Sequence, residues 1–490
     1  MVDFQHRRTG LAFVCLASAM VAACAEPLDP DRDTAKTGAT TANATSPTTT
    51  ISPGQSIQAA VNAHPNGTTF TLKRGVHRMQ SVQPKSGDTF VGETGAVLSG
   101  ARLLTSFTRS GAYWVAGGQT QQGTQSGVCQ TGREGCKYPE DVFIDDRLLT
   151  HVTALSKVAP GKWYFDYAAD KIFMGDNPTG HRVETSVSSY AFGGGAGNVT
   201  IRNLIIEKYA SPAQMGTIVG SGTSGWIVED NEIRWNHGTG VGAGAQWRIL
   251  RNKVHHNGLN GISSGGPSGL VVDGNEVAYN NTAGFSQFWA SGGLKFTKAV
   301  NLTVRNNYIH HNDGMGVWTD TSYPKTIYEN NRVTDNTYGG IYHEVSYDAV
   351  IRYNTCERNG LAKVGPLRYG GISIDNSPNV EIYGNTLSGN RDGIGGRQLP
   401  HAVTTGPYGP LQLKNFYVHD NKVTMTQSGG YNGVIQYVND NSYYTSRNNR
   451  FVRNAYTLAG TTLYFHWQGN PRTDSQWRGY GEDVNGIFNR

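Results

Sequence analysis

Apolar residues recur at fixed distances from paired asparagines through the middle of the chain. In "EDNEIRWNHGTG", "LRNKVHHNGLNG", "DGNEVAYNNTAG", "RNNYIHHNDGMG", "ENNRVTDNTYGG", "RYNTCERNGLAK" and "IYGNTLSGNRDG" two asparagines stand five apart. The pairs are Asn231/Asn236, Asn252/Asn257, Asn275/Asn280, Asn307/Asn312, Asn331/Asn336, Asn354/Asn359 and Asn385/Asn390. Three positions before each first asparagine stand Val228, Ile249, Val272, Val304, Tyr328, Ile351 and Ile382. Two positions after it stand Ile233, Val254, Val277, Ile309, Val333, Cys356 and Leu387. Apolar alternation with period two predicts strands. The first asparagines step by 21, 23, 32, 24, 23 and 31 residues, and strands repeating at that interval predict stacked coils. Asparagine tolerates the left-handed backbone of sharp turns, and its amide can bond the same group one coil up, so the pairs are expected to be structural. The "HHN" pairs, His255/His256 and His310/His311, fall within that turn pattern and read as turn surface.

This repeat resembles the right-handed parallel β-helix repeat of many secreted carbohydrate-active proteins. The resemblance implies an all-β, pectate-lyase-like solenoid over residues 191–440, with a C-terminal coil and cap over 441–490. Residues 51–102 are expected to hold the first coils and a capping helix at "SIQAAVNAH". Residues 103–190 break the rhythm; "YPEDVFIDDRLLTHV" and "GKWYFDYAADKIFMGD" read as hairpin strands of a small inserted β subdomain. At the N-terminus "HRR" precedes the apolar "LAFVCLASAMVAAC", the layout of an export signal. "VAAC" resembles a bacterial lipobox, which implies a signal over residues 1–24, a lipid on Cys24 and an extracytoplasmic cell-envelope lipoprotein held to its membrane by that lipid. Residues 25–50, rich in Ala, Thr and Pro, read as a flexible tether.

Composition agrees with many tight turns: 63 glycines and 37% hydrophobic residues. The formal net charge of +5 is scattered, with no Lys/Arg run, so nucleic-acid binding is not expected. Cys129 and Cys136, in "CQTGREGC", are placed to close a small disulfide loop in an oxidising compartment. Cys356 falls on a core column.

After its second asparagine each coil continues with Gly and an inward apolar residue, as in "GVWTD", "GIYHE" and "GISID". Alternation then predicts two outward columns. One carries Gly242, Ser263, Lys295, Trp318, Tyr342, Ser373 and Gly395; the other carries Gly244, Gly265, Thr297, Asp320, Glu344, Asp375 and Arg397. Like charges on neighbouring rungs destabilise a sheet, so the file Asp320, Glu344, Asp375 breaks a local rule where function is expected. Two insertions, "NTAGFSQFWAS" and "GLAKVGPLRYG", emerge at the same corner and bracket the Asp320 and Glu344 coils. They are expected to wall a cleft with Phe288, Trp289, Arg368 and Tyr369, over a floor of Trp318 and Tyr342. Aromatics around carboxylates suit a sugar ring, so the expected partner is a poly- or oligosaccharide.

Adjacent rungs place two carboxylates about 5 Å apart, the spacing of a retaining glycosidase. "GVWTD" followed one coil later by "GIYHE" is similar to the β-helix glycoside hydrolases, notably the β-xylosidase-type family. That resemblance implies Asp320 as nucleophile and Glu344 as acid/base, with no cofactor. Asp375 is expected to hold Glu344 or a substrate hydroxyl, and Arg397 to meet substrate; His343 falls in the inward phase unless the strand ends there, and is expected to orient Glu344 from behind. Asp320 and Asp375, two rungs apart at roughly 9–10 Å, form an alternative inverting pair. Two other functions stay open. A polysaccharide lyase or epimerase would use Asp320, Glu344 and Asp375 to hold Ca²⁺ against a uronate, with Lys295 as base. A non-catalytic surface binder would keep glycan affinity and cleave nothing.

Overall fold

A computed structural model describes residues 47–490 other than 362, 364, 402, 403, 427 and 460–462. The signal, Cys24 and most of the 25–50 tether lie outside the described residues. Among those described, the strands form three long sheets of 13, 13 and 11 strands. Every coil in the repeat adds one strand to each sheet, parallel to the one before. On the Asn307/Asn312 coil these strands are Thr303–Arg305, Tyr308–His310 and Met315–Asp320. The first asparagine turns the chain between strands one and two, and the second turns it between strands two and three. The repeat offsets become the register: Val304 pairs with Tyr328, Ile309 with Val333 and Val317 with Ile341.

The inward columns merge into one continuous core. Rungs repeat about every 4.8 Å, so identical side chains stack. Trp226 and Trp247 lie parallel at 4.8 Å, and Phe70 and Phe90 stack at 5.1 Å. Cys356 is a buried member of this core.

The asparagines form two hydrogen-bonded ladders. Asn252 Nδ2 donates to Asn275 Oδ1 at 3.0 Å and to Val228 O at 2.8 Å, and the same Oδ1 accepts from Asn252 N at 2.9 Å. The rungs from Asn231 to Asn359 repeat this, so the inward amides of those ladder residues are paired. One expectation is corrected. The left-handed residue is the one before each asparagine: Arg251 (φ 53°), His256 (φ 55°), Asn330 (φ 54°), Asp335 (φ 57°). The asparagines stay outside that region because their amides must point inward along the stack. Side chains before them point out, and His256, Tyr279 and His311 stack there at 5.1 Å spacings.

At the N-terminal end helix Ile57–Ala63 is capped by Ser56, whose Oγ accepts from Ala59 N, and it sinks Ile57 and Val61 into the core. At the other end helix Asp474–Gly479 lays buried Trp477 on Phe465 at 4.8 Å. Between them, residues 101–186 leave the solenoid. They form a four-stranded and a five-stranded sheet, largely antiparallel, around Trp163, Phe165, Ile172 and Met174. Lys208 ties this excursion to the coils: its buried ammonium bonds Glu184 and Asp146, both at 2.5 Å, and lies over Phe143 and Trp235. No helix among the described residues is long and apolar enough to cross a membrane.

Candidate active site

The third sheet carries the site on strands Gly292–Thr297, Met315–Asp320, Gly339–Glu344, Gly370–Asp375 and Asp392–Gln398. Its register aligns Lys295, Trp318, Tyr342, Ser373 and Gly395 in one file. A second file runs Thr297, Asp320, Glu344, Asp375 and Arg397. Asp320 and Glu344 are therefore direct neighbours on consecutive rungs.

Environment separates the acids. Burial pushes the Glu344 carboxyl up to about 7, and the Asp375 and Asp320 charges push the same way. Desolvation and like charge both favour the neutral acid. Trp318 Nε1 donates to Glu344 Oε2 at 3.0 Å and fixes that oxygen. Asp320 has a different neighbour, Lys295, whose Nζ lies 3.7 Å from its Oδ2. The same ammonium sits 3.3 Å over the Trp318 ring and donates to Trp289 O at 3.0 Å. Burial lowers the Lys295 pKa, while Asp320 and Glu344 oppose that shift.

Asp375 is engaged elsewhere. Its Oδ1 accepts from Arg397 Nε at 2.8 Å, and its Oδ2 accepts from Arg397 Nη2 and from Tyr342 OH at 2.6 Å. This corrects two expectations: Asp375 does not hold Glu344, and the Arg397 guanidinium is bonded to Asp375 instead of standing free to meet a substrate. A bidentate pair closes because an arginine follows the aspartate one rung on. The Ca²⁺ set does not fit either. Asp375 has no free oxygen to offer, Lys295 stands beside Asp320, and among the described residues no three metal-ligating side chains converge. Tyr342→Phe is expected to cost about 2 kcal/mol of stability, as a hydrogen bond to a charged group is lost; urea unfolding at pH 7 measures it.

His343 keeps the expected inward phase but bonds elsewhere than Glu344. The strand runs through it, so it stays inward, fully buried, with Nδ1 bonded to Thr319 Oγ1 at 2.7 Å. Burial drives its pKa down to about 3, leaving a neutral ring that makes no bond to Glu344.

The two insertions meet over the sheet. Lys363 Nζ donates to Gln287 Oε1 at 2.5 Å, linking one to the other. Phe288 is exposed and stands edge-on to Tyr338 at 5.0 Å. Tyr338 in turn meets Tyr369 edge-on at 5.0 Å. The Arg368 guanidinium lies 5.1 Å from the Phe288 ring and 5.8 Å from Tyr338 and Tyr369. Met315, Trp318, Tyr338, Tyr342 and Tyr369 form one small buried cluster, so the floor rings are more covered than the sequence suggested. Trp289 is half-buried against Phe285.

A support that the sequence hid comes from the inserted subdomain. Cys129 and Cys136 are joined. An isolated antiparallel bridge pairs Cys129 of this loop with Phe285, Ser286 N donates to Val128 O at 2.7 Å, and Gln130 Nε2 reaches Asp313 Oδ2 at 2.7 Å. These contacts span more than 150 residues of sequence and leave no local pattern. Toward earlier rungs a cleft of about 260 Å³, lined by Asn260, Ser263, Lys295 and Thr297, opens into a groove of about 630 Å³ floored by glycines such as Gly216, Gly242 and Gly244.

Residues 216–387 match the family model of the right-handed β-helix region. Among solved structures the chain is similar to XylC in complex with xylose, at 16% identity and a TM-score of 0.56, covering 89% of this chain and 82% of that one. It is also similar to the mannuronan C-5 epimerase AlgE6 A-module of Azotobacter vinelandii, at 13% identity and a TM-score of 0.49, covering 89% and 94%. No curated protein matches the chain in sequence. The fold is the right-handed parallel β-helix.

Proposed function

We propose that this chain is a carbohydrate-active enzyme of the bacterial cell envelope, anchored by lipid at Cys24 and acting as a retaining glycoside hydrolase. The observation that carries this reading is the asymmetry of two carboxylates on consecutive rungs. Glu344, pushed up to about 7, keeps a proton to give; Asp320 faces an ammonium. In the first step Glu344 protonates the glycosidic oxygen while the Asp320 carboxylate attacks the anomeric carbon, and the carbon–oxygen bond to the leaving group breaks. In the second step the Glu344 carboxylate takes a proton from water. The water oxygen attacks the same carbon and releases Asp320. The engagement of Asp375 by Arg397 supports Asp320 and Glu344 over an inverting Asp320/Asp375 pair. XylC, solved with xylose, is a saccharide-binding protein of the same fold.

Two measurements on a panel of glycosides test this. Proton NMR of the first product is expected to show the substrate's own anomeric configuration. A 2-fluoro glycoside inactivator is expected to label the peptide carrying Asp320. Inversion, or a label on another residue, overturns the reading. One observation favours a second reading: Lys295, desolvated and beside both acids, has the lowered pKa of a base. A lyase would produce a new C=C bond with ultraviolet absorbance, and an epimerase would exchange solvent deuterium into the uronate; a hydrolase does neither.

A further inference from the structure

Two cations on the 360–370 insertion have no acidic partner among the described residues. Among the described residues neither Arg368 nor Lys363 has a carboxylate oxygen within ion-pair distance. Both lie against one ring, Tyr338, at 5.8 Å for Arg368 and 5.1 Å for Lys363. Arg368 Nε is buried without a hydrogen-bond partner, and the buried Tyr338 hydroxyl has only the Tyr369 side chain beside it. The carboxylate that acts on Lys363 from a distance, Asp313, is already bonded by Gln130, Gln287 and Thr337. Burial lowers the Lys363 pKa, as expected for an ammonium moved out of water without a counter-ion.

Ring faces attract cations, but two like charges on one ring repel each other, and a buried donor left unpaired costs about 1–3 kcal/mol. Packing alone favours an aliphatic or amide side chain at such a place. What satisfies a guanidinium fork, an ammonium and a phenol donor together is a planar anion with several acceptor oxygens. Tyr338 packs in the same cluster as Trp318, whose indole holds Glu344. The cations therefore border the aromatic cluster that also carries Trp318 and Tyr342.

We propose that Arg368, Lys363 and Tyr338 form an anion subsite that takes the carboxylate of a uronate in the glycan. The subsite deepens the reading above and rests on it only in treating the cleft as a glycan site. Charge recognition here runs through side chains and needs no Ca²⁺ bridge.

The test is affinity electrophoresis of the whole protein in the Glu344→Gln background, so that the probe is not consumed. Glucuronoxylan and polygalacturonate are each compared with their carboxyl-reduced forms, and dextran sulfate with dextran. At least one acidic polymer is expected to bind about tenfold or more tighter than its reduced form. Adding Arg368→Gln and Lys363→Gln is expected to abolish the difference with no loss of melting temperature, and Arg368→Lys to restore part of it. Equal binding of acidic and reduced forms, or a preference that survives the double change, overturns the subsite. An equal gain for dextran sulfate over dextran overturns its assignment to carboxylates. Hydrolysis is assayed separately on the wild type. A protein that prefers the uronate polymer and cleaves nothing keeps this subsite and loses the hydrolase reading.

Discussion

Glu344→Gln is expected to lower kcat/KM on an unactivated glycan by about 10²–10⁴-fold, the usual contribution of a positioned general acid. Aryl glycosides with good leaving groups need little protonation and are expected to lose less in the first step. The pH profile gives the sharper signature. Because the Glu344 carboxyl is raised to about 7, it stays protonated below that pH and ionises above it. Wild-type kcat/KM on the glycan is expected to fall as pH rises through about 7, and the Gln variant is expected to lack that limb. The same shift carries a sign for stability. A carboxyl whose pKa is raised from 4.5 on folding binds its proton more tightly in the native state. Relative to the ionised state, that favours folding most below about 4.5, and the benefit is gone above about 7. Glu344→Gln is therefore expected to stabilise the fold at pH 8, by up to about 3 kcal/mol, and to change little at pH 4. Guanidinium unfolding at the two pH values measures this. A gain at pH 4 with none at pH 8 removes the buried-acid account of Glu344.

The two files of outward residues were legible because two asparagines and period-two alternation fix register without any knowledge of loops. Lys295–Trp318–Tyr342 and Thr297–Asp320–Glu344–Asp375–Arg397 are rungs in the order the offsets place them. The same file misled at its far end. The pattern points Asp375 at Glu344 or a substrate hydroxyl and Arg397 at substrate, although opposite charges one rung apart suffice to engage each other. The left-handed turn residue was assigned to asparagine on propensity. The ladder instead needs the asparagine amide inward, and the strain falls on the residue before it. Nothing local announced that the 128–136 loop lies on the 281–291 insertion, since hydrogen bonds between segments so distant leave no periodic trace. The hairpin that sets Tyr408 against Tyr347 at 5.5 Å was missed for a different reason. The repeat was followed only to Asn385, and the next ladder residue, Asn421, stands 36 positions on. That long step marks a third insertion.

The ladder also supports a large stability effect. Asn336 Oδ1 accepts Asn312 N at 3.1 Å and Asn312 Nδ2 at 3.0 Å, while its Nδ2 donates to Asn359 Oδ1 at 3.0 Å and to Ile309 O at 3.2 Å. Asn336→Leu keeps the volume close and strips all four bonds, leaving at least the buried Asn312 amide without an acceptor. With two or three groups orphaned at about 1–3 kcal/mol each, the expected loss is roughly 3–6 kcal/mol. It falls on the turn that leads from strand Arg332–Thr334 into the Glu344 strand, so the acid pair loses its register with it. Asn336→Asp separates donor from acceptor. An aspartate restores the acceptor for Asn312 but sets a carboxylate against Asn359 Oδ1, where a donor is required. The chain uses this difference itself. The first ladder ends on Asp483, whose Oδ1 takes Asn454 N and Nδ2 at 2.9 Å. With no further rung to donate to, its Oδ2 accepts from Tyr456 OH and Trp477 Nε1. Asn336→Asp is therefore expected to cost several kcal/mol in mid-ladder at pH 7 and less at pH 4, where the carboxyl regains a donor. Urea unfolding of both variants at the two pH values decides it, and equal losses for Asp at pH 4 and pH 7 would show that the ladder is held by shape rather than by alternating donors and acceptors.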